Sequence, residues 1–95
     1  MRDTTFAFVT IGILIAGPSH AACTKPDIPA CAIQNNPFPS EADFDKCRIQ
    51  MIAYKDGMEN FAACLKEAAQ FPEEQSARDE LETTLARFNR RARGE

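Results

Sequence analysis

Four cysteines are the most reactive side chains in this 95-residue chain, and their spacing limits the chemistry available to them. They are Cys23, Cys31, Cys47 and Cys64, so 7, 15 and 16 residues separate successive cysteines. Zinc ligands usually come in close pairs, and thiol oxidoreductases usually carry a C-x-x-C motif, but neither spacing occurs here. An even number of cysteines in a short exported chain instead predicts two disulfides. A thiol oxidoreductase is the competing hypothesis, and it requires a free reactive thiol.

The N-terminal residues have the layout of a secretory signal peptide. Arg2 precedes the apolar run 6–16, Gly17-Pro18 interrupts that run, and the small residues at 19–22 suit a signal peptidase. The apolar run is shorter than the roughly 20 residues that a membrane span needs. This order predicts export out of the cytoplasm.

We expect residues 1–22 to be removed by cleavage after Ala21 or Ala22, which leaves about 73 residues in the periplasm or outside the cell. An uncleaved anchor is one alternative to this processing. Lipoprotein anchoring at Cys23 is a second alternative. A core of this size supplies only about 3–5 kcal/mol, so covalent cross-links are expected.

The remaining residues offer little to an enzyme. His20 is the only histidine and leaves with the signal peptide, so the mature chain has no imidazole for acid–base chemistry or metal binding. Its only serines, Ser40 and Ser76, stand where helices are expected to begin. The carboxylates are typical of the solvated faces of amphipathic helices. The sequence therefore predicts a non-enzymatic protein with no catalytic residues, no metal site and no cofactor.

An arginine cluster near the C-terminus is the strongest candidate for a binding site. Arg87, Arg90, Arg91 and Arg93 surround Phe88, a composition typical of contacts with anionic surfaces. Export makes nucleic acid an unexpected partner, so anionic lipid, lipopolysaccharide or an acidic protein face is favoured. The competing interpretation is that these cations complement the negative end of a helix dipole and pair with nearby carboxylates.

A long first helix is predicted to follow the capping pattern from Ser40 to Asp43. Its apolar positions recur with alternating spacings of three and four residues, the spacing of one helix face. Gly57 lies inside the helix and costs about 1 kcal/mol relative to alanine. The periodicity keeps its phase across Gly57, which favours one helix, and a break at that residue is the alternative. The apolar positions are Phe44, Cys47, Met51, Tyr54, Met58, Phe61, Leu65 and Ala68.

A second helix is predicted to begin at Pro72, with a start near Ser76 as the alternative, and to end before Gly94. The two helices should span about 40–69 and 72–93. If they form an antiparallel hairpin, the residue numbers of facing pairs share a constant sum, and five apolar pairs add up to 142 or 143. A parallel coiled-coil dimer is the competitor, but its seam would favour Ile, Val and Leu over Met and aromatics. The five pairs are Leu65–Ala77, Phe61–Leu81, Met58–Leu85, Tyr54–Phe88 and Met51–Ala92.

A proline-rich arm at 23–39 precedes the first helix, and its prolines favour extended backbone. If the numbers of facing residues sum to about 142 (the 142-sum register), Phe44 and Cys47 lie beyond the end of the second helix. Ile49 and Ile52 form a further apolar side of the first helix. We therefore expect the arm to fold back along the first helix and to cover these residues. The fold class predicted is an all-α, disulfide-stapled antiparallel two-helix hairpin with this arm.

The disulfide pairing follows from helix geometry. Cys47 and Cys64 lie about 25 Å apart on a continuous helix, whereas bonded cysteines need Cα atoms within about 7 Å. Each must therefore take a partner from the arm. An arm that runs antiparallel to the first helix pairs Cys31 with Cys47 and Cys23 with Cys64.

The chain also resembles small uncharacterised exported helical proteins of proteobacteria. The resemblance covers most of the mature chain and implies no activity, because that group has no assigned one. The matching residues are Cys47-Arg48-x-x-Met51-x-x-Tyr54, Met58-Glu59-x-Phe61-x-x-Cys64-Leu65 and Phe88-Asn89-x-Arg91-x-Arg93-Gly94.

The sequence therefore favours a non-enzymatic envelope or periplasmic protein that acts as a binding or structural module for a protein or an anionic surface. A secreted small inhibitor or effector module is the alternative. Nothing in the residues predicts the partner or the oligomeric state.

Overall fold

The computed structural model of this chain describes residues 23–94, so the predicted signal peptide lies outside the described residues. The helices are α1 (Glu41–Glu67) and α2 (Phe71–Ala92), preceded by one 3₁₀ turn at Ala30–Ala32. The two long helices pack against each other as an antiparallel hairpin, and residues 23–94 contain no strand. The predicted all-α hairpin is confirmed, and the helix ends lie within two residues of those predicted.

Helix α1 begins and continues as the local sequence dictates. The Ser40 hydroxyl accepts a hydrogen bond from the Asp43 backbone N–H at 3.1 Å, which satisfies one of the donors that a helix start leaves unpaired. The helix then runs through Gly57 without interruption, so the predicted single helix is confirmed and the break is not observed. The side chains of Cys47 and Met58 are almost completely buried on its inner face.

The turn between the helices is a tight reversal at Ala68–Gln70. Ala69 adopts a left-handed conformation with φ of 58°. Its N–H bonds to the Lys66 carbonyl at 3.0 Å, while the Gln70 N–H bonds to the Leu65 carbonyl at 2.9 Å. These two bonds form the Schellman arrangement that closes the end of a helix. The chain therefore reverses direction within three residues and brings α2 alongside α1.

The register of the hairpin differs from the expected one. Phe44, which was expected beyond the end of α2, stacks on Phe88 with ring centroids 5.7 Å apart. Tyr54, which was expected opposite Phe88, instead reaches Glu80 and Thr84 with its hydroxyl. The 142-sum register was therefore wrong.

The cause is the position of the turn: the chain reverses at Ala68–Gln70, so facing residues such as Tyr54 and Thr84 share a sum of about 138 instead of 142.

A separate difference is that two polar residues occupy the buried face of α2. Thr84 and Arg91 are 3% and 7% exposed, whereas Leu85 is half-buried and Ala92 is exposed. The pattern of apolar residues assigned those core positions to Leu85 and Ala92. The observed inner positions still follow the three-and-four spacing of a helix face, and they are Ala77, Leu81, Thr84, Phe88 and Arg91.

The arm lies across both helices and runs antiparallel to α1. The disulfides join Cys23 to Cys64 and Cys31 to Cys47, with Cα–Cα distances of 5.5 and 5.9 Å, and this is the pairing that the helix geometry predicts. Further along the arm, the Phe38 ring packs edge-on against Phe44 and Phe88 at 5.5 and 5.9 Å. The arm thus completes the core as a third layer over the two helices.

Gly57 shows how closely the arm approaches α1. A Cβ atom placed on Gly57 would lie 3.0 Å from Cγ and 3.3 Å from Cβ of Pro26. Those separations are shorter than ordinary carbon–carbon contacts. Glycine therefore leaves room for the Pro26 ring in the middle of a helix that would otherwise favour alanine.

The arm does not cover everything it was expected to cover. Phe44 and Cys47 are packed beneath it, but Ile49 and Ile52 remain 62% and 51% exposed on the outward side of α1. The expectation that the arm buries these isoleucines was wrong, because the arm follows the groove between the helices rather than the outer face of α1.

Candidate functional site

Two of the four candidate arginines fasten the arm to α2. Arg91 donates hydrogen bonds to the backbone carbonyls of Cys31 and Asn36, both at 2.6 Å. Its guanidinium also lies 4.0 Å from the centre of the Phe38 ring, within the range of a cation–π contact. Arg87 donates to the Ile33 carbonyl at 2.8 Å. A flat fork of N–H donors suits this task, because it can satisfy several carbonyls of an irregular segment at once.

Arg91 is therefore a structural residue, which corrects its assignment to a binding patch. Its side chain is buried, and its guanidinium is already bonded to the arm. Arg90 and Arg93 are exposed at the same end of the molecule. The arginines of the cluster that are exposed and could contact a partner are therefore Arg90 and Arg93.

The charge at this end is mixed. Because Phe44 stacks on Phe88, the first turn of α1 lies beside the last turns of α2. That first turn carries the acidic residues Glu41 and Asp43, which suit the positive end of the α1 dipole. These carboxylates lower the positive potential that the arginines would present to an anionic surface.

A polar cluster in the middle of the molecule connects the arm and both helices. Lys25 of the arm forms an ion pair with Glu80 at 2.7 Å. The Tyr54 hydroxyl donates to the other Glu80 oxygen at 3.1 Å and lies 3.4 Å from the Thr84 hydroxyl. Sequence reasoning placed Glu80 on a solvated face and missed this cluster. The heptad spacing of Thr84 with Ala77 and Phe88 was the available signal that this side of α2 faces inward.

The electrostatics of the cluster keep Tyr54 neutral. Burial is the largest cause of the raised pKa of Tyr54, and the neighbouring Glu80 carboxylate adds to it. The pKa of Lys25 is also raised, chiefly by its hydrogen bond to Glu80. A neutral phenol, a carboxylate and an ammonium can hold three chain segments together by hydrogen bonds.

The described residues hold no arrangement typical of a metal or thiol site. Within residues 23–94, no group of three or more His, Cys, Asp or Glu side chains is placed to bind a metal ion. All four cysteines are in disulfides, so this part of the chain has no free thiol. The free thiol that the oxidoreductase hypothesis requires is thus missing from the described residues.

Two open clefts flank the first residues of the arm. One has a volume of about 310 Å³ and lies at the turn end of the hairpin. The other has a volume of about 290 Å³ and lies beside the Cys23–Cys64 disulfide. Phe61 lines both clefts. The first is also lined by Lys25, Pro72, Glu73, Ser76, Ala77 and Glu80, and the second by Cys23, Thr24, Gly57, Asn60 and Cys64.

The outer face of α1 is the candidate contact surface for another protein. Ile49 and Ile52 stand one helical turn apart and are both more than half exposed. They sit among charged residues, with Asp45 and Arg48 on the preceding turn. An apolar centre with a polar rim is typical of protein–protein contacts, and the two isoleucines with their charged neighbours form a small surface of this kind.

None of the helices formed by residues 23–94 is long and apolar enough to cross a membrane. No protein-family model, curated protein or solved structure matches this chain. The resemblance to small exported helical proteins therefore stays a prediction.

Proposed function

We propose that this chain is a non-enzymatic binding module that acts outside the cytoplasm and docks onto another protein through Ile49 and Ile52. The observation that carries the proposal is the exposure of these two isoleucines, at 62% and 51%. The sequence predicts that the arm covers them, yet the arm is fixed elsewhere by two disulfides. A partner protein would bury their apolar surface at little conformational cost, because β-branched side chains on a helix are already restricted.

Two disulfides support a location in the periplasm or outside the cell, because such bonds persist in oxidising compartments. The disulfide at Cys23 argues against lipoprotein anchoring, since a sulfur bonded to Cys64 is not available for a thioether to lipid. We therefore propose that the protein is released by cleavage after Ala21 or Ala22 and is not anchored to the membrane by acylation of Cys23.

A binding role also fits the way the polar residues are used. Arg91 and Tyr54 satisfy groups within the fold, and the two clefts are open. The proposal that the protein is not an enzyme rests on this use of its polar side chains, together with the lack of histidine after residue 20.

The test is capture of a partner from the envelope fraction by the mature, oxidised protein carrying an affinity tag. We expect the wild-type protein to capture a partner that the double variant I49E/I52E does not capture. The matched control is A63E/A86E, which adds the same charge at two exposed alanines on the two helices. Equal capture by both double variants would refute docking through the isoleucines.

Arg90 and Arg93 favour a second candidate function, contact with an anionic envelope surface, because both remain exposed at the open end of the hairpin. This candidate predicts salt-sensitive binding to vesicles that contain phosphatidylglycerol, and loss of that binding in R90E/R93E. Unchanged binding by this variant would remove the candidate. Arg91 is left unchanged in this variant because its replacement would perturb the fold.

A secreted inhibitor or effector module is the alternative to both. It predicts release into the culture medium, whereas the envelope proposals predict retention. Fractionation of the expressing cells distinguishes these outcomes.

A further inference from the structure

The two disulfides lie in different surroundings. Cys47 is 1% exposed within the core and is bonded to a half-buried Cys31. Cys23 and Cys64 are both half-buried. Each disulfide lines a cleft of about 290 Å³, so the difference lies in the burial of Cys47. A thiolate must reach one sulfur of a disulfide and expel the other. An attacking thiolate therefore reaches the sulfurs of Cys23–Cys64 more easily than those of Cys31–Cys47.

The leaving sulfur strengthens this difference. Attack on the accessible sulfur of Cys31 would expel Cys47 as a thiolate into the apolar core, where a charge is poorly solvated. Attack on either sulfur of Cys23–Cys64 expels a thiolate that still contacts solvent. The two disulfides therefore differ in how readily they are reduced.

The segment that Cys23 holds in place separates two clefts. Lys25 lines the cleft at the turn end, while Cys23 and Thr24 line the cleft beside the disulfide. Phe61 of α1 lines both. Removal of this segment would join the two clefts into one groove floored by Phe61.

We propose that Cys23–Cys64 is a reducible bond whose opening by a dithiol releases the start of the arm and exposes this groove. One thiolate of the dithiol attacks a sulfur of Cys23–Cys64 and forms a mixed disulfide, and its second thiol then displaces the protein sulfur. The dithiol is oxidised to its disulfide, and the protein gains two electrons and two protons as two thiols. The reductant is thus a small dithiol or a protein dithiol.

The rest of the arm stays in place when this bond opens. Cys31–Cys47 keeps the 3₁₀ turn on α1, and Arg91 still holds the carbonyls of Cys31 and Asn36. At the start of the arm, the Lys25 side chain is 49% exposed in its ion pair with Glu80, and an exposed pair adds little stability. The Pro26 ring packs on Gly57 in the same segment. Opening is therefore confined to the segment before Ala30.

The test is partial reduction of the mature wild-type protein (residues 23–95) with dithiothreitol, followed by alkylation and non-reducing digestion with Asp-N. This protease cuts before aspartate and places the four cysteines in four different peptides. We expect a species in which Cys23 and Cys64 are alkylated while Cys31 and Cys47 remain linked. Reduction of Cys31–Cys47 first, or of both bonds at the same rate, would overturn the proposal.

A second measurement tests the release itself. In the half-reduced species, native-state cleavage by Asp-N before Asp27 should become about tenfold faster, because a local opening now exposes that bond. Cleavage before Asp43, where α1 is capped, serves as the internal control and should not change. Binding of 8-anilinonaphthalene-1-sulfonate should rise as the groove opens. An unchanged cleavage rate before Asp27 would show that the segment stays docked without its disulfide, which refutes the release.

Discussion

Replacement of Arg91 by alanine tests whether this arginine holds the arm or serves as a ligand contact. The change removes two hydrogen bonds from a charged donor, to the carbonyls of Cys31 and Asn36, each worth about 1.5–3 kcal/mol. It also removes the contact with the Phe38 ring, worth about 0.5–2 kcal/mol. Water can partly replace the donor at Asn36, which is exposed, so the lower ends of these ranges apply. The expected loss is about 3–5 kcal/mol in the free energy of unfolding.

The measurement is urea unfolding followed by far-ultraviolet circular dichroism, with both disulfides intact. For a protein of this size, the free energy of unfolding falls by about 1 kcal/mol per molar urea. The R91A variant should therefore unfold at about 3–5 M lower urea than wild type, or have lost part of its helical signal before urea is added. The R91K variant keeps the charge but not the fork of donors, so it should recover only part of the loss.

The matched control is R90A, one residue away and exposed. It should change the free energy of unfolding by no more than about 0.5 kcal/mol. If R91A and R90A unfold at the same urea concentration, Arg91 does not hold the arm and the structural role assigned to it is wrong.

Three further changes test the packing of the arm, the turn and the polar cluster. In the G57A variant, the gain in helix propensity of about 1 kcal/mol should be offset by contact with Cγ and Cβ of Pro26. The gain should reappear in the P26G background, which removes both atoms, and it is measured as a coupling energy in a double-mutant cycle of urea unfolding; additive effects would contradict the contact. The A69G variant should raise the free energy of unfolding by about 0.5–1 kcal/mol, because glycine adopts φ of 58° without steric cost, and a lower melting temperature would contradict the left-handed turn. The third change is a rise in pH, which tests the polar cluster. Burial raises the pKa of Tyr54, so the folded state binds the phenolic proton more tightly than the unfolded chain does. The resulting stability is fully present below pH 10.0, and it is lost as the pH rises through the pKa of the folded state. Tyr54 is the only tyrosine, and no tryptophan is present, so phenolate absorbance reports it alone; a folded midpoint at or below the midpoint in urea would contradict this environment.

The hairpin could be predicted because apolar periodicity determines where helices form. The spacing that runs from Cys47 to Leu65 continues through Gly57, and the structure keeps one helix there. The disulfide pairing could also be predicted, since a rigid helix separates Cys47 from Cys64 and leaves only partners in the arm.

The register and the arginine site could not be predicted from apolar positions. Arg91 lies in the core because the arm supplies backbone carbonyls as partners, and these carry no side-chain pattern. Thr84 lies there beside the Tyr54 hydroxyl of α1. A rule that assigns core positions to apolar residues therefore chose Leu85 and Ala92 in place of Thr84 and Arg91. It also matched apolar pairs about a turn two residues later than the observed reversal at Ala68–Gln70, which displaced the register. The same rule assigned Ile49 to the interior, whereas the path of the arm leaves it exposed.

The central claim is that the arm runs antiparallel to α1 and is cross-linked to it at two points. Non-reducing Asp-N digestion of the oxidised mature protein tests this directly, because the cuts separate the peptides 27–42, 45–55 and 56–78 and leave Cys23 on its own N-terminal peptide. The account predicts that the Cys23 peptide is linked to 56–78 and that 27–42 is linked to 45–55. A link between 45–55 and 56–78 would contradict it, since Cys47 and Cys64 cannot meet on a continuous helix.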